Sequence, residues 1–415
     1  MLAVKAGKLI VGTGDLLEDM VVLVEGEKIA KVGRLADVEI PNEAEVLDAT
    51  DRLVMPGMID AHLHIRGSGD PSKRGAAGVV QTSLGTMALM SYVNAKKDLE
   101  AGFTALRDAG NFGYVDVALR DAINEGWIEG PRLKVAGQGL TATGGHGDRT
   151  KRMAPHVRIE GMTNIVDSPD EARKATRYQI KMGADFIKIM ATLSEYVRKF
   201  GGTCSQELTF ETMKAICEVA HWANRKVGAH CHGGPGVTDA ILAGLDSLEH
   251  GRFISDEQFE MMVERGVYLV PTLSPEGRAM EHGREATGMT KDEDWEWFLR
   301  ANDAMYDAVA RAHKIGVKVA AGSDAAMPFV RHGENAYELE LLVKAGMTPM
   351  EAIVAATKVG SEVLDMADEI GTVEEGKYAD LVVVDGDPLA DIKILQDLTK
   401  IEKVIKGGKV VVSRP

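Results

Sequence analysis

Short apolar runs alternate with longer stretches of helical period through most of the chain. Eight of the runs are strand-sized: 58–65 (MIDAHLHI), 103–110 (FTALRDAG), 132–140 (RLKVAGQGL), 185–190 (DFIKIM), 226–230 (KVGAH), 245–250 (LDSLEH), 267–272 (VYLVPT) and 317–324 (VKVAAGSD). The helical stretch after Ser168 opens with Ser-Pro and ends at Gly183, and the one after Thr209 carries Glu211 in its first turn, both ordinary start signals. Strands alternating with helices predict a parallel sheet, and eight of them close a barrel. The two ends of the chain differ. KLIVGTG, DMVVLVEGEKIAKVG and EVLDA near the start, and YADLVVVDGDP and IEKVIKGGKVVVS near the end, are β-rich pieces broken at Gly, Asp and Asn. The predicted fold class is α/β: a distorted TIM (β/α)8 barrel over 56–365, with 1–55 and 366–415 pairing into a small β-sandwich.

Apolar runs such as VVLV at 21–24 and LVVV at 381–384 are strand-sized and far short of a membrane span. With 45% hydrophobic and 27% charged residues in 415, disorder and coiled coil are excluded. Acidic residues outnumber basic ones 63 to 48, for a net charge of −15. That field opposes phosphate backbones and anionic lipid, so neither nucleic acid nor a membrane is an expected partner. Lys5, Lys8 and the acidic residues of the first twenty positions interrupt what an export signal would need to be apolar. Cys204, Cys217 and Cys231 form neither an even set nor a C-x-x-C pair. Together these features predict a cytoplasmic protein without disulfides.

In a barrel of this kind, polar residues at the C-terminal ends of strands form the site. His62 and His64 end the first strand two apart, which puts both imidazoles on one face. His230 ends the fifth strand, His250 the sixth and Asp324 the eighth. A lone histidine is usually a satisfied core or surface residue; four at one mouth with a carboxylate predict a metal site. Lys188 is flanked by Phe186, Ile187, Ile189 and Met190, where an ammonium is costly without a partner. Either it is one half of a buried ion pair or, since an ammonium has no lone pair to donate, it joins the site only after chemical modification. His230 and His232 share a face if their strand continues; His230 ends the apolar run KVGA, and Cys231 alternates to the other side as a small packed residue.

These segments resemble the amidohydrolase superfamily: VMPGMIDAHLHI, FIKIM, GAHCHG, SLEHG and GSDAAMP occur in that family's order, and GTVEEGKYADLVVVDGDP resembles its C-terminal sheet segment. The resemblance implies a binuclear metal hydrolase of the prolidase or Xaa-Arg(Lys) dipeptidase-like branch, related to imidazolonepropionase. It implies two divalent ions, zinc by expectation, bridged by Lys188 carbamylated with CO2. His62 and His64 would hold the more buried ion with Asp324, and His230 and His250 the more exposed one, leaving His232 for substrate. Two such ions lower the pKa of a bridging water and polarise a carbonyl. Asp324 would then take the proton from the bridging hydroxide's attack and return it to the departing amine. A homo-oligomer is also implied.

The substrate expected from this resemblance is a dipeptide or N-acyl amino acid. Gly144, Gly145 and Gly147 in TATGGHGD permit close backbone approach, and His146 among them is placed to hydrogen-bond a carbonyl or terminal carboxylate. Arg331 and His332, after the eighth strand, are candidates to neutralise a carboxylate, and Tyr196, with Arg198 and Lys199, to line a pocket. The loop after the fourth strand departs from the Gly-rich opening usual in the branch. The polar segment 274–298, with Trp295 and Trp297, reads as a lid or an oligomer contact, and His282 within it as solvent-facing. His156, His221 and His313 are assigned no chemistry. Two alternatives compete: hydrolysis of a cyclic amide, carbamate or urea-like compound, which needs no carboxylate pocket, and a non-catalytic scaffold, which predicts missing ligands.

Overall fold

The N-terminal apolar pattern folds as four strands, β1 (Leu2–Ile10), β2 (Leu16–Glu25), β3 (Lys28–Arg34) and β4 (Glu45–Pro56), with β1 antiparallel to β2 and parallel to β4. The computed structural model describes residues 1–414 apart from 74–80, 152, 160, 162 and 194–203. One residue beyond β4 the chain enters a second, parallel sheet of β5 (Met58–Leu63), β6 (Phe103–Asp108) and β7 (Arg132–Val135). A third sheet, also parallel, contains β8 (Gly139–Thr141), β9 (Thr163–Ile165), β10 (Ile187–Met190), β11 (Val227–Gly233), β12 (Ser247–Phe253) and β13 (Tyr268–Val270), in the order β13-β12-β11-β10-β8-β9. The chain ends in β14 (Leu381–Val384), β15 (Ile401–Lys406) and β16 (Lys409–Ser413), which return to the first sheet through antiparallel pairing of β14 with β4.

The two chain ends therefore build one seven-stranded sheet. Its strands show why a period of two matters: Leu381 and Val383 pack with Leu2, Val4 and Val22, whereas Val382 and Val384 face the other way, into the core around the parallel strands. LVVV is apolar throughout because both of its faces are covered.

Two of the eight expected strands are irregular, each for a local reason. The run 132–140 breaks into β7 and β8 at Gly137, whose φ is +65°. There the Gly137 amide donates to Asp116 Oδ2 (2.9 Å) and the Gln138 amide to Gln179 Oε1 (3.0 Å), so side chains replace a neighbouring strand. The run 317–324 forms only single parallel bridges, Leu269 to Val319 and Leu63 to Ala325. It nonetheless joins β13 to β5: Leu269 N donates to Lys318 O (3.0 Å), Ala61 N to Ala321 O (2.9 Å) and Asp324 N to His62 O (2.7 Å). Asp324 itself sits at φ +51°, which interrupts extended backbone.

Helices begin where their caps predicted. Ser168 accepts from the Glu171 amide ahead of helix Pro169–Lys181, and Thr209 from Thr212 ahead of helix Phe210–Trp222. The segment expected as a polar lid or contact is helical, in Ser274–Thr287 and the start of Asp292–Ile315. The second of these buries Phe298, Ala301, Met305, Ala308, Val309 and Ala312, a helical stripe whose greater part lies beyond 298. Among the described residues no helix is long and apolar enough to cross a membrane.

Gly322 lies where an added Cβ would come within 2.9 Å of His62 Cβ and 3.0 Å of His62 N. Gly322→Ala is expected to cost about 1–3 kcal/mol, as overpacking does, read from urea unfolding; wild-type stability would show that β5 can move away from this contact.

Candidate metal centre

Because β5, β10, β11 and β12 run parallel within their sheets, their C-terminal residues carry the polar groups, and these converge. His62 and His64 share a face as their spacing predicts, with ring centroids 5.6 Å apart. His250 lies 5.2 Å from His62 and 4.6 Å from His230. His232 stands 4.6 Å from His230, and His146, from the loop after β8, stacks on His230 at 3.9 Å and 13°. Asp324 Oδ1 is 3.7 Å from His62 Nε2 and 3.5 Å from His64 Nε2. His62, His64 and Asp324 offer three ligand atoms within 4.8 Å of one another.

Hydrogen bonds on the far side of the rings select which nitrogen faces the centre. His64 Nδ1 donates to the Gly110 carbonyl (2.9 Å), His62 Nδ1 bonds Glu249 Oε2, and His250 Nδ1 meets Thr272 Oγ1 (2.6 Å). A ring that donates through Nδ1 keeps a lone pair on Nε2 when neutral. Burial keeps these rings neutral: it lowers His62 to about 4, and His64, His230, His232 and His250 well below the usual imidazole value. Burial also pushes the Asp324 carboxyl up to about 8, with Lys188 opposing it.

Beneath the histidines lies a buried charged cluster. Arg107 donates to Ala61 O (2.6 Å), Ser247 Oγ (3.0 Å) and Glu249 Oε1 (2.7 Å), and Lys188 Nζ lies 3.6 Å from Glu249 Oε2. Burial would raise the Glu249 carboxyl, but Arg107, Lys188 and His62 more than reverse this and hold it well below the usual range. Burial brings Lys188 down to about 8 against the pull of Glu249 and Asp324. Lys188 Nζ, His230 Nε2 and Asp324 Oδ1 are buried with no hydrogen-bond partner among the described residues. Orphaned polar atoms are costly, and three of them in one cluster with neutral imidazoles suit a cation site.

His332 is buried with both nitrogens engaged, Nδ1 with Asp98 Oδ2 (2.8 Å) and Nε2 toward His64 O (3.3 Å), so it props the end of β5. Arg331 is exposed, and Tyr196, Arg198 and Lys199 lie outside the described residues. His282 is exposed and stacks on Phe329.

Several supporting residues were not singled out from sequence. Asp60 accepts from His62 N (3.1 Å), Ser323 N (3.0 Å) and Asn335 Nδ2 (2.8 Å), and so locks β5 to the segment carrying Asp324. Glu249 precedes His250, and alternation would send the two apart; His250 has φ +74°, and both reach His62. Thr272 and Asp324, both at φ +51°, share this left-handed backbone, which is uncommon outside glycine and concentrates at sites.

Residues 53–411 match the amidohydrolase family, and the chain belongs to it. It is 34% identical to the ochratoxinase of Aspergillus niger over 423 residues, covering 98% of this chain and 85% of that one. A Xaa-Pro dipeptidase solved with methionine in its active site superposes with a TM-score of 0.89 at 30% identity, over 99% of each chain. A prolidase complexed with N-methylphosphonate-L-proline gives 0.86 at 29% identity, over all of each chain. The protein is thus a hydrolase of the amide-cleaving class.

Replacing Glu249 with Leu strands two buried cations, Arg107 and Lys188. The expected loss is about 3–5 kcal/mol in urea unfolding; a change below about 1 kcal/mol, the worth of an exposed pair, would mean that this cluster does not depend on its carboxylate.

Proposed function

We propose that the protein is a two-metal hydrolase that cuts the amide bond of a dipeptide or N-acyl amino acid. The observation that carries this reading is the set of orphaned atoms, Lys188 Nζ, His230 Nε2 and Asp324 Oδ1, set among four neutral histidines. His62, His64 and Asp324 would hold one divalent ion and His230 and His250 another, with Lys188 carbamylated by CO2 between them. Burial supports the last step, because a lysine lowered to about 8 presents more free amine to CO2. Zinc suits the donor set, and two such ions would supply an activated water and a polarised carbonyl.

The chain's own groups do the rest. Asp324, whose Oδ1 has no other partner, receives the proton of the attacking water and delivers it to the departing amine. Burial raises this carboxyl and cations beside it oppose that, so ions held at this centre would leave it ionised and able to accept the proton. His146, stacked on His230, and His232 orient the substrate carbonyl and carboxylate; Arg331 neutralises the carboxylate, with His332 acting through His64. Likeness to a Xaa-Pro dipeptidase and to a prolidase holding a proline phosphonate supports a substrate with a free carboxylate.

In this reading 56–365 is a closed, distorted (β/α)8 barrel, supported by the bonds from 317–325 to β13 and β5, and 1–55 with 366–415 form its accessory β-sandwich domain. The protein works as a cytoplasmic homo-oligomer on small molecules, without nucleic-acid or membrane partners, in keeping with its net charge of −15.

The test is release of free amino acid by zinc-replete protein from Xaa-Pro, Xaa-Arg, Xaa-Lys and Xaa-hydrophobic dipeptides and N-acyl amino acids. Turnover with kcat/KM of about 10⁴ M⁻¹s⁻¹ or more is expected on part of the panel; silence with two metals bound would move the search to cyclic amides, carbamates and ureas. Asp324→Asn is expected to keep the fold and lose turnover, and near-normal rates would remove its proton role. Lys188→Ala is expected to lose a metal by elemental analysis, recovered with an added short carboxylic acid; two metals and full rate without it would exclude the carbamate bridge.

A further inference from the structure

Glu207 lies outside the metal centre, on the strand-like return 205–207 that pairs with 191–193 through Leu193 N to Ser205 O and Glu207 N to Ala191 O. Its carboxylate is directed at the neighbouring loop after β8. Oε1 accepts from the Ala142 amide (3.0 Å) and from Thr141 Oγ1, and Oε2 accepts from the His146 amide (2.7 Å). Thr141 Oγ1 in turn accepts from the Gly147 amide (3.1 Å), and Lys151 Nζ donates to Gly145 O (2.7 Å). A side chain at Gly145 would collide with the Glu207 carboxylate, so the glycine is needed for the carboxylate to approach. One half-buried acid thus gathers both ends of a turn, 141–147, whose second end bears the imidazole stacked on His230 at 3.9 Å.

We infer that Glu207 is the positioning residue that holds His146 over the metal centre, clamping the loop after β8 to the base of the segment after β10. The inference rests on the role given above to His146. A backbone bond to His146 N constrains the ring's origin rather than the ring, so Glu207 acts on substrate only through His146.

Two measurements test this. Hydrogen exchange of the zinc-loaded protein reports the clamp without any substrate: in Glu207→Ala the Ala142 and His146 amides are expected to exchange about tenfold faster or more, as expected of local opening, with the β-strands unchanged. Glu207→Gln, which keeps the size and one acceptor oxygen, is expected to fall between, and guards against a variant that does not fold. Unchanged exchange in both variants would overturn the clamp. On the best substrate of the panel, Glu207→Ala and His146→Ala are each expected to lower kcat/KM about 10- to 100-fold, the range for groups that support a metal site. The double variant is expected to match His146→Ala alone, because a residue acting through another adds nothing once that one is gone. Additive losses would show that Glu207 acts by another route. A wild type silent on the whole panel would sink the dipeptide and N-acyl amino acid reading, while the exchange result would still decide the clamp.

Discussion

Burying Glu249 is the constraint on which the rest of the site depends. A carboxylate with no exposure can remain ionised only among cations and donors, and here Arg107, Ser247, Lys188 and His62 surround it. Each comes from a different strand: β5, β6, β10 and β12 meet at this one group. Its bond to His62 Nδ1 turns the Nε2 lone pair of that ring toward the centre, and its proximity to Lys188 keeps an amine buried beneath the histidines. The cluster links packing to chemistry, because the charges that compensate one another inside the protein also orient the groups that face substrate.

The legible parts of this molecule were those in which local period and long-range geometry agree. His62 and His64 sit two apart at the end of β5, and that spacing brings both rings to one side even though the register shifts there, as it does for His230 and His232. Ser168 and Thr209 cap helices because capping needs only neighbours in sequence. Legibility failed where a partner comes from far along the chain or the backbone leaves its regular form. Asp60 and Asn335, or Asp98 and His332, are joined only once the parallel sheets are assembled. Glu249 was hidden by the left-handed turn at His250, and the segment 317–324 carries its ligand at a residue that ends extended backbone. The helix from Asp292 is hidden in the sequence because its acidic first turn dominates 292–298, ahead of the apolar stripe.

Departures from regular backbone cluster at the end of the strands that bears the histidines. His250, Thr272 and Asp324 all lie at positive φ without being glycine, and two of them carry groups that face the centre. Such conformations cost of order 1–3 kcal/mol each and persist only where surrounding bonds impose them. Here Asp324 N is held by His62 O and the preceding Ser323 by Asp60, while His250 is held through Thr272. The rigid parallel strands beneath supply that restraint.

The sheet shared by the two chain ends also has a consequence for biosynthesis. β4 runs into β5 within two residues, yet the neighbour on its free side is β14, near the other end of the chain. As the polypeptide leaves the ribosome, β4 therefore waits with an open edge while every ligand-bearing strand is made. An open, apolar edge invites pairing with other chains. The nascent protein thus carries this vulnerable edge until β14 is made, and pairing of β14 with β4 is the event that ends that exposure.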